Sequence, residues 1–156
     1  SVSPTEIAKS SKNKSFLQIS VKDGKSIKPI DKISFKILDV PTPVITANRL
    51  AGKTNVGRAQ LKNAQGLVAY MGENFYFDSD EVRYKIKKYD VYYENREGPQ
   101  TAIVKSGNLF TQEVKDAITN TKKNGTITFA NIYVQRPGVS KLVKIPGSIS
   151  YKLVKN

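Results

Sequence analysis

Histidine and cysteine are both missing from the 156 residues. Their absence excludes a Ser-His-Asp relay, a thiol nucleophile, a disulfide and nearly every zinc or iron site. It does not identify a compartment, because cytosolic and exported proteins can both lack cysteine. No apolar run approaches the ~20 residues a membrane helix needs. The chain begins at Ser1 rather than Met, which suggests an excised or processed segment whose targeting signal lies elsewhere. Acidic residues are scarce, 13 against 26 Lys and Arg, for a formal net charge of +13. Such a surplus favours anionic partners: nucleic acid, acidic lipid, an anionic wall polymer or an acidic protein face. Residues 1–40 carry 8 basic and 4 acidic groups, 41–100 carry 9 and 7, and 101–156 carry 9 and 2. The C-terminal third is therefore the electropositive part.

What is present is the material of many short strands: Val, Ile, Phe and Tyr in small clusters separated by Gly, Pro and Asn. The length suits one domain, or one domain and the end of another. "SVSPTEIAKSSKNKS" has no apolar period, so residues 1–32 are expected to be a linker or the C-terminal end of a preceding β domain. Within them, Leu17, Ile19 and Val21 alternate toward a turn at Asp23-Gly24. From residue 33 to 156 the pattern predicts an antiparallel, Ig-like β-sandwich. Ile33, Phe35 and Ile37 alternate until Pro41 and Pro43 stop the strand. "AQLKNAQGLVAYMG" predicts one or two short strands around Gly66, with Leu67, Ala69 and Met71 on one side.

In "VRYKIKKYDVYY", Val82, Tyr84 and Ile86 share one parity and Tyr89, Val91 and Tyr93 the other, which predicts a β-bulge at Lys87-Lys88. The same slip recurs in "TITFANIYV", where Ile127 and Phe129 give way to Ala130, Ile132 and Val134. Phe110, Val114, Ala117 and Ile118 have helical spacing, so one short helix is expected over about 110–123, capped by Thr111 and stopped by Asn124-Gly125. In the final strand Ile149, Tyr151 and Leu153 point inward.

Several short motifs imitate chemistry. "AGKT" (51–54) resembles the end of a phosphate loop, but the required upstream glycine is Ala47 and "NVGRAQL" looks extended. "SKNK" (11–14) has Ser-x-x-Lys spacing in a stretch with no pocket to desolvate the lysine. "FDSDE" (77–81) offers hard oxygens, but "VRYK" supplies neither further ligands nor a turn glycine. The same carboxylates make a weak glycosidase pair, since sequence spacing cannot set them across a sugar. Neither a metal nor a cofactor is expected, and no catalysis. Tyrosines 84, 89, 92 and 93 beside Arg83, Lys85, Lys87 and Lys88 could stack bases along a basic groove. Parity instead assigns Tyr84, Tyr89 and Tyr93 to the core side and only Tyr92 to the polar side, which disfavours nucleic acid.

Taken in order, "FKILDVPTPV" (35–44), "GLVAYMGENFYFDSDEVRYKIKKYDV" (66–91), "SGNLFTQEVKDAI" (106–118) and "GTITFANIYVQRPG" (125–138) resemble the C-terminal periplasmic domain of the GldM/PorM family. This family belongs to the type IX secretion and gliding-motility machinery of Bacteroidetes. The resemblance implies a non-catalytic structural module in the periplasm, part of a homodimer anchored in the inner membrane by an N-terminal helix outside this chain. It also implies partners: an inner-membrane protein of the GldL/PorL type through that N-terminal part, and outer-membrane-associated ring proteins of the GldK/PorK and GldN/PorN type. The basic C-terminal third suits docking on an acidic surface. Arg136, Lys141, Lys144 and Lys152 are the candidate contact residues, with solubility as their plain alternative role. A competing function is binding of an anionic polymer, either peptidoglycan or single-stranded nucleic acid.

Overall fold

The computed structural model describes residues 14–36, 41–71, 83–136 and 139–154, with the side chains of 14–17 and 35–36 excepted. The "FDSDE" and "SKNK" motifs, Val82 and the Pro137-Gly138 turn lie wholly or partly outside those residues. Two compact units divide the chain after Pro41.

The first unit is an antiparallel hairpin of β1 (Lys14–Asp23) and β2 (Ser26–Lys36). Its turn falls where the Asp-Gly pair predicts: Asp23 faces Ser26, and Gly24 takes the positive φ of 57° that glycine accepts without strain. The register shifts beyond Ile19, and Pro29, which has no N–H for a ladder, sits beside that irregularity. Strand β2 runs continuously through the expected boundary between residues 32 and 33.

The second unit is mainly β, with two sheets facing a common core. β3 (Val44–Ala47) pairs antiparallel with β5 (Leu67–Tyr70). A six-stranded sheet is formed by β4 (Asn55–Gly57), β6 (Lys85–Asn95), β7 (Gly98–Val104), β8 (Thr126–Gln135), β9 (Leu142–Lys144) and β10 (Ile149–Val154). Its order is β4-β10-β8-β6-β7, with β9 also on β8. All its pairings are antiparallel except β4 with β10. Tyr89, Val91, Ile127, Phe129, Tyr151 and Leu153 point from this sheet into the core, where Ala47 and Leu67 meet them from the smaller one. Phe129 anchors the centre, stacked on Phe110 at 5.4 Å and edge-on to Tyr151 at 6.2 Å. The Tyr151 hydroxyl ties the sheets together, accepting from the Ala47 N–H at 2.8 Å and lying 3.0 Å from Thr46 Oγ1.

Two helices cover the same core. α2 spans Gln112–Asn120, and Thr111 caps it as expected, its hydroxyl accepting from the Val114 N–H at 3.4 Å. The helix ends before Asn124-Gly125 because Thr121 turns extended and donates its hydroxyl to the Ala117 carbonyl at 2.6 Å. The second helix, α1 (Arg58–Asn63), corrects the expectation of an extended "NVGRAQL". It is one and a half turns long, has no side-chain cap and buries only Leu61, so nothing periodic announces it. Tertiary contact holds it: Arg58 donates through Nη2 to the carbonyls of Thr121 and Lys122 at the end of α2.

Candidate interaction surface

The opposite face of the six-stranded sheet carries the charge, and the bulges shape it. The β6–β8 register slips between Ile86 and Lys88 and again between Lys88 and Asp90. The first slip gives β6 an extra residue and the second gives β8 one, so the two cancel: Ile86 faces Val134, and Val91 still faces Phe129. Both phase slips expected from the sequence are present and lie against each other, but the β8 slip comes one residue later than expected: Ala130, expected inward, faces Asp90 on the outer side. The burial pattern follows them, with Ile86 then Tyr89 and Val91 inward on β6, and Ile127 and Phe129 then Ile132 and Val134 inward on β8. Asn131 takes the left-handed conformation at the β8 slip, with φ of 48°.

Directly opposite residues on neighbouring strands share a face. Lys88 faces Tyr133, which in turn faces Lys144 on β9, so a lysine, a tyrosine and a lysine form one row across three strands. Lys88 Nζ lies 4.2 Å from the centre of the Tyr133 ring, a cation–π contact. Asp90, the next outward residue on β6, faces Ala130 on β8 and Ile103 on β7. Its Oδ2 accepts from Asn131 Nδ2 at 2.7 Å and from the Tyr92 hydroxyl at 3.4 Å; Asn131 Nδ2 also reaches that hydroxyl at 3.2 Å. Lys88, Asp90, Ile103, Lys105, Asn131 and Tyr133 line an open hollow of about 550 Å³ over the paired bulges. Next to it along the strands lies an uncharged band: Tyr92 faces Thr101 and Thr128, and Thr128 shares a 2.8 Å hydrogen bond with Ser150.

The four cations expected from the sequence are all exposed but not gathered in one place. Lys144 joins the row beside the hollow. Arg136 and Lys141 flank the last paired residues of β8 and β9, Gln135 and Leu142. Lys152 faces Thr126 at the other end of β8, roughly 20 Å from Tyr133 along the strand. Sequence reasoning misses Lys105, Asp90 and Asn131, and it weighs Lys88 only beside the tyrosines of a disfavoured base-stacking groove. The phase slips signalled the place; that the two slips coincide is set by the β6–β8 register, which the sequence alone does not display.

The tyrosines divide as parity predicts. Tyr89 is buried, donates to the Leu109 carbonyl at 3.0 Å, and has its phenol pKa raised by that burial. Tyr84 and Tyr93 pack against the core, while Tyr92 is 40% exposed. "VRYKIKKYDVYY" is thus, from Lys85 onward, a bulged strand with its oily side inward.

Comparison with known proteins assigns this architecture to a family. A family model described as the GldM C-terminal domain matches residues 41–153. No curated protein matches the sequence significantly.

Proposed function

The chain belongs to the GldM C-terminal domain family, that of a gliding-motility and type IX secretion component, and on that premise we propose that it is a non-catalytic interaction module of this machinery. It works in the periplasm, as the distal part of a protein anchored in the inner membrane, and links the inner-membrane complex to the outer-membrane-associated ring. The family match carries the proposal. It agrees with a sheet that commits one face to the core and leaves the other, with its lysine row, open to a partner.

Homodimerisation is part of the same proposal. The hairpin leaves Ile27 71% and Ile30 64% exposed, apolar surface of the kind a two-fold contact would cover.

The test is capture from detergent-solubilised envelopes with the tagged chain as bait. Enrichment of ring proteins of the GldK/PorK and GldN/PorN type over a bait ending at residue 41 supports the linking role. Equal recovery by both baits would contradict it.

A further inference from the structure

We propose that the hollow over the paired bulges receives carboxylate side chains of an acidic protein segment, held by Lys88, Lys105 and Lys144. The inference rests on the docking role above and names the surface that performs it. The three ammonium groups come from β6, from the end of β7 and from β9, and the strand register brings them to one face. Among the described residues, none of the three forms an ion pair, unlike Lys28 with Asp23 and Lys122 with Glu94. Positive charge gathered in a concave site and not ion-paired there attracts an anionic ligand more strongly than the same charge on a convex rim.

Asp90, the one carboxylate among the described residues that line the hollow, does not cancel this. Asp90 Oδ2 is already held by Asn131 and Tyr92, and its charge turns an incoming carboxylate away from that wall and toward the lysines. Lys88 is held in place over Tyr133, so less side-chain freedom is lost when it binds.

The same contact selects a protein segment over a nucleic acid. The Tyr133 ring face is covered by Lys88 and is not offered to a base. A single-strand binder needs open aromatic faces along its groove. Ile103, 52% exposed on the lip, gives an apolar contact for the side chains that flank an acidic residue.

The test is a titration of the isotope-labelled full chain, followed by amide resonances, with a peptide of alternating Glu and Gly. The corresponding Gln–Gly peptide and a mixed-sequence single-stranded oligonucleotide serve as comparisons. The acidic peptide is expected to shift residues 88–90, 103–105 and 131–133, and the Gln peptide to shift none of them. The K88Q/K105Q double substitution is expected to weaken the acidic peptide about tenfold while leaving resonances outside the hollow in place, since both side chains project from the outer face. Three results would overturn the inference: shifts centred on Arg136 and Lys141 or on Lys152, unchanged affinity in the double variant, or hollow shifts with the oligonucleotide alone. Because no ring component is present, this titration can fail while ring capture succeeds, and the reverse.

Discussion

Asn131 occupies a backbone conformation that an L-residue enters at a cost of roughly 1–2 kcal/mol, with asparagine among the residues that accept it most readily. Its side chain then closes the Asp90–Tyr92 network. Two substitutions separate the roles. Asn131→Gly keeps the backbone preference and loses the hydrogen bonds, whereas Asn131→Ala loses both. Urea unfolding should therefore show a loss of about 1 kcal/mol or less for Gly and about 2 kcal/mol for Ala. An equal or reversed order would mean that the left-handed turn is not what selects asparagine. Tyr151 makes a second single-residue case. Tyr151→Phe leaves the ring in its packing but strips the Ala47 N–H and Thr46 hydroxyl of their partner across the core. A loss of about 1–3 kcal/mol is expected in the same assay. The inward placement of Tyr151 was legible from the alternation of Ile149, Tyr151 and Leu153. Its bond to residues more than a hundred positions away was not, because no local pattern records a partner at that separation.

At the scale of elements, legibility followed period. The hairpin turn, both bulges and the α2 cap each have a local cause written in two to ten neighbouring residues, and each is present. α1 and the parallel β4–β10 pair have no such cause. They exist because Arg58 reaches the end of α2 and because residues 55–57 align with residues 152–154 from the far end of the chain. The four sequence-predicted cations illustrate the same limit for the site: composition located the basic third, but register decided that Lys144 stands with Lys88 while Lys152 stands apart. Gly66, read from the sequence only as punctuation between strands, turns out to be a contact point. A Cβ there would lie 2.6 Å from the Asn108 carbonyl oxygen, where β5 begins and Leu67 N–H bonds to that same carbonyl at 2.9 Å. Gly66→Ala should cost about 2–3 kcal/mol, since backbone and not a flexible side chain must yield. Thermal unfolding measures it; a change within about 0.5 kcal/mol would show that the 108–110 segment can move aside.

For the whole molecule, the two units differ in what holds them. The 42–156 unit has a continuous core spanning both sheets and both helices, and the described side chains of the hairpin are exposed or half-buried. A two-stranded hairpin with no buried face is marginal in water. A fragment of residues 42–156 should thus unfold cooperatively with a midpoint close to that of the full chain, and a 14–36 peptide should show no hairpin by circular dichroism. A large drop in midpoint on removing residues 1–41 would contradict that independence. The division also fits the family match, which begins at residue 41, beside the boundary between the units.

The central claim is that this member of the GldM C-terminal domain family docks on a ring component of the secretion machinery. The most direct test is the affinity of the full chain for a ring protein of the GldN/PorN type, measured at low and physiological salt with an oligonucleotide as competitor. The account predicts saturable binding that survives physiological salt and resists the competitor. Binding of the oligonucleotide alone, falling steeply as salt rises, would contradict it and identify an anionic polymer as the partner instead.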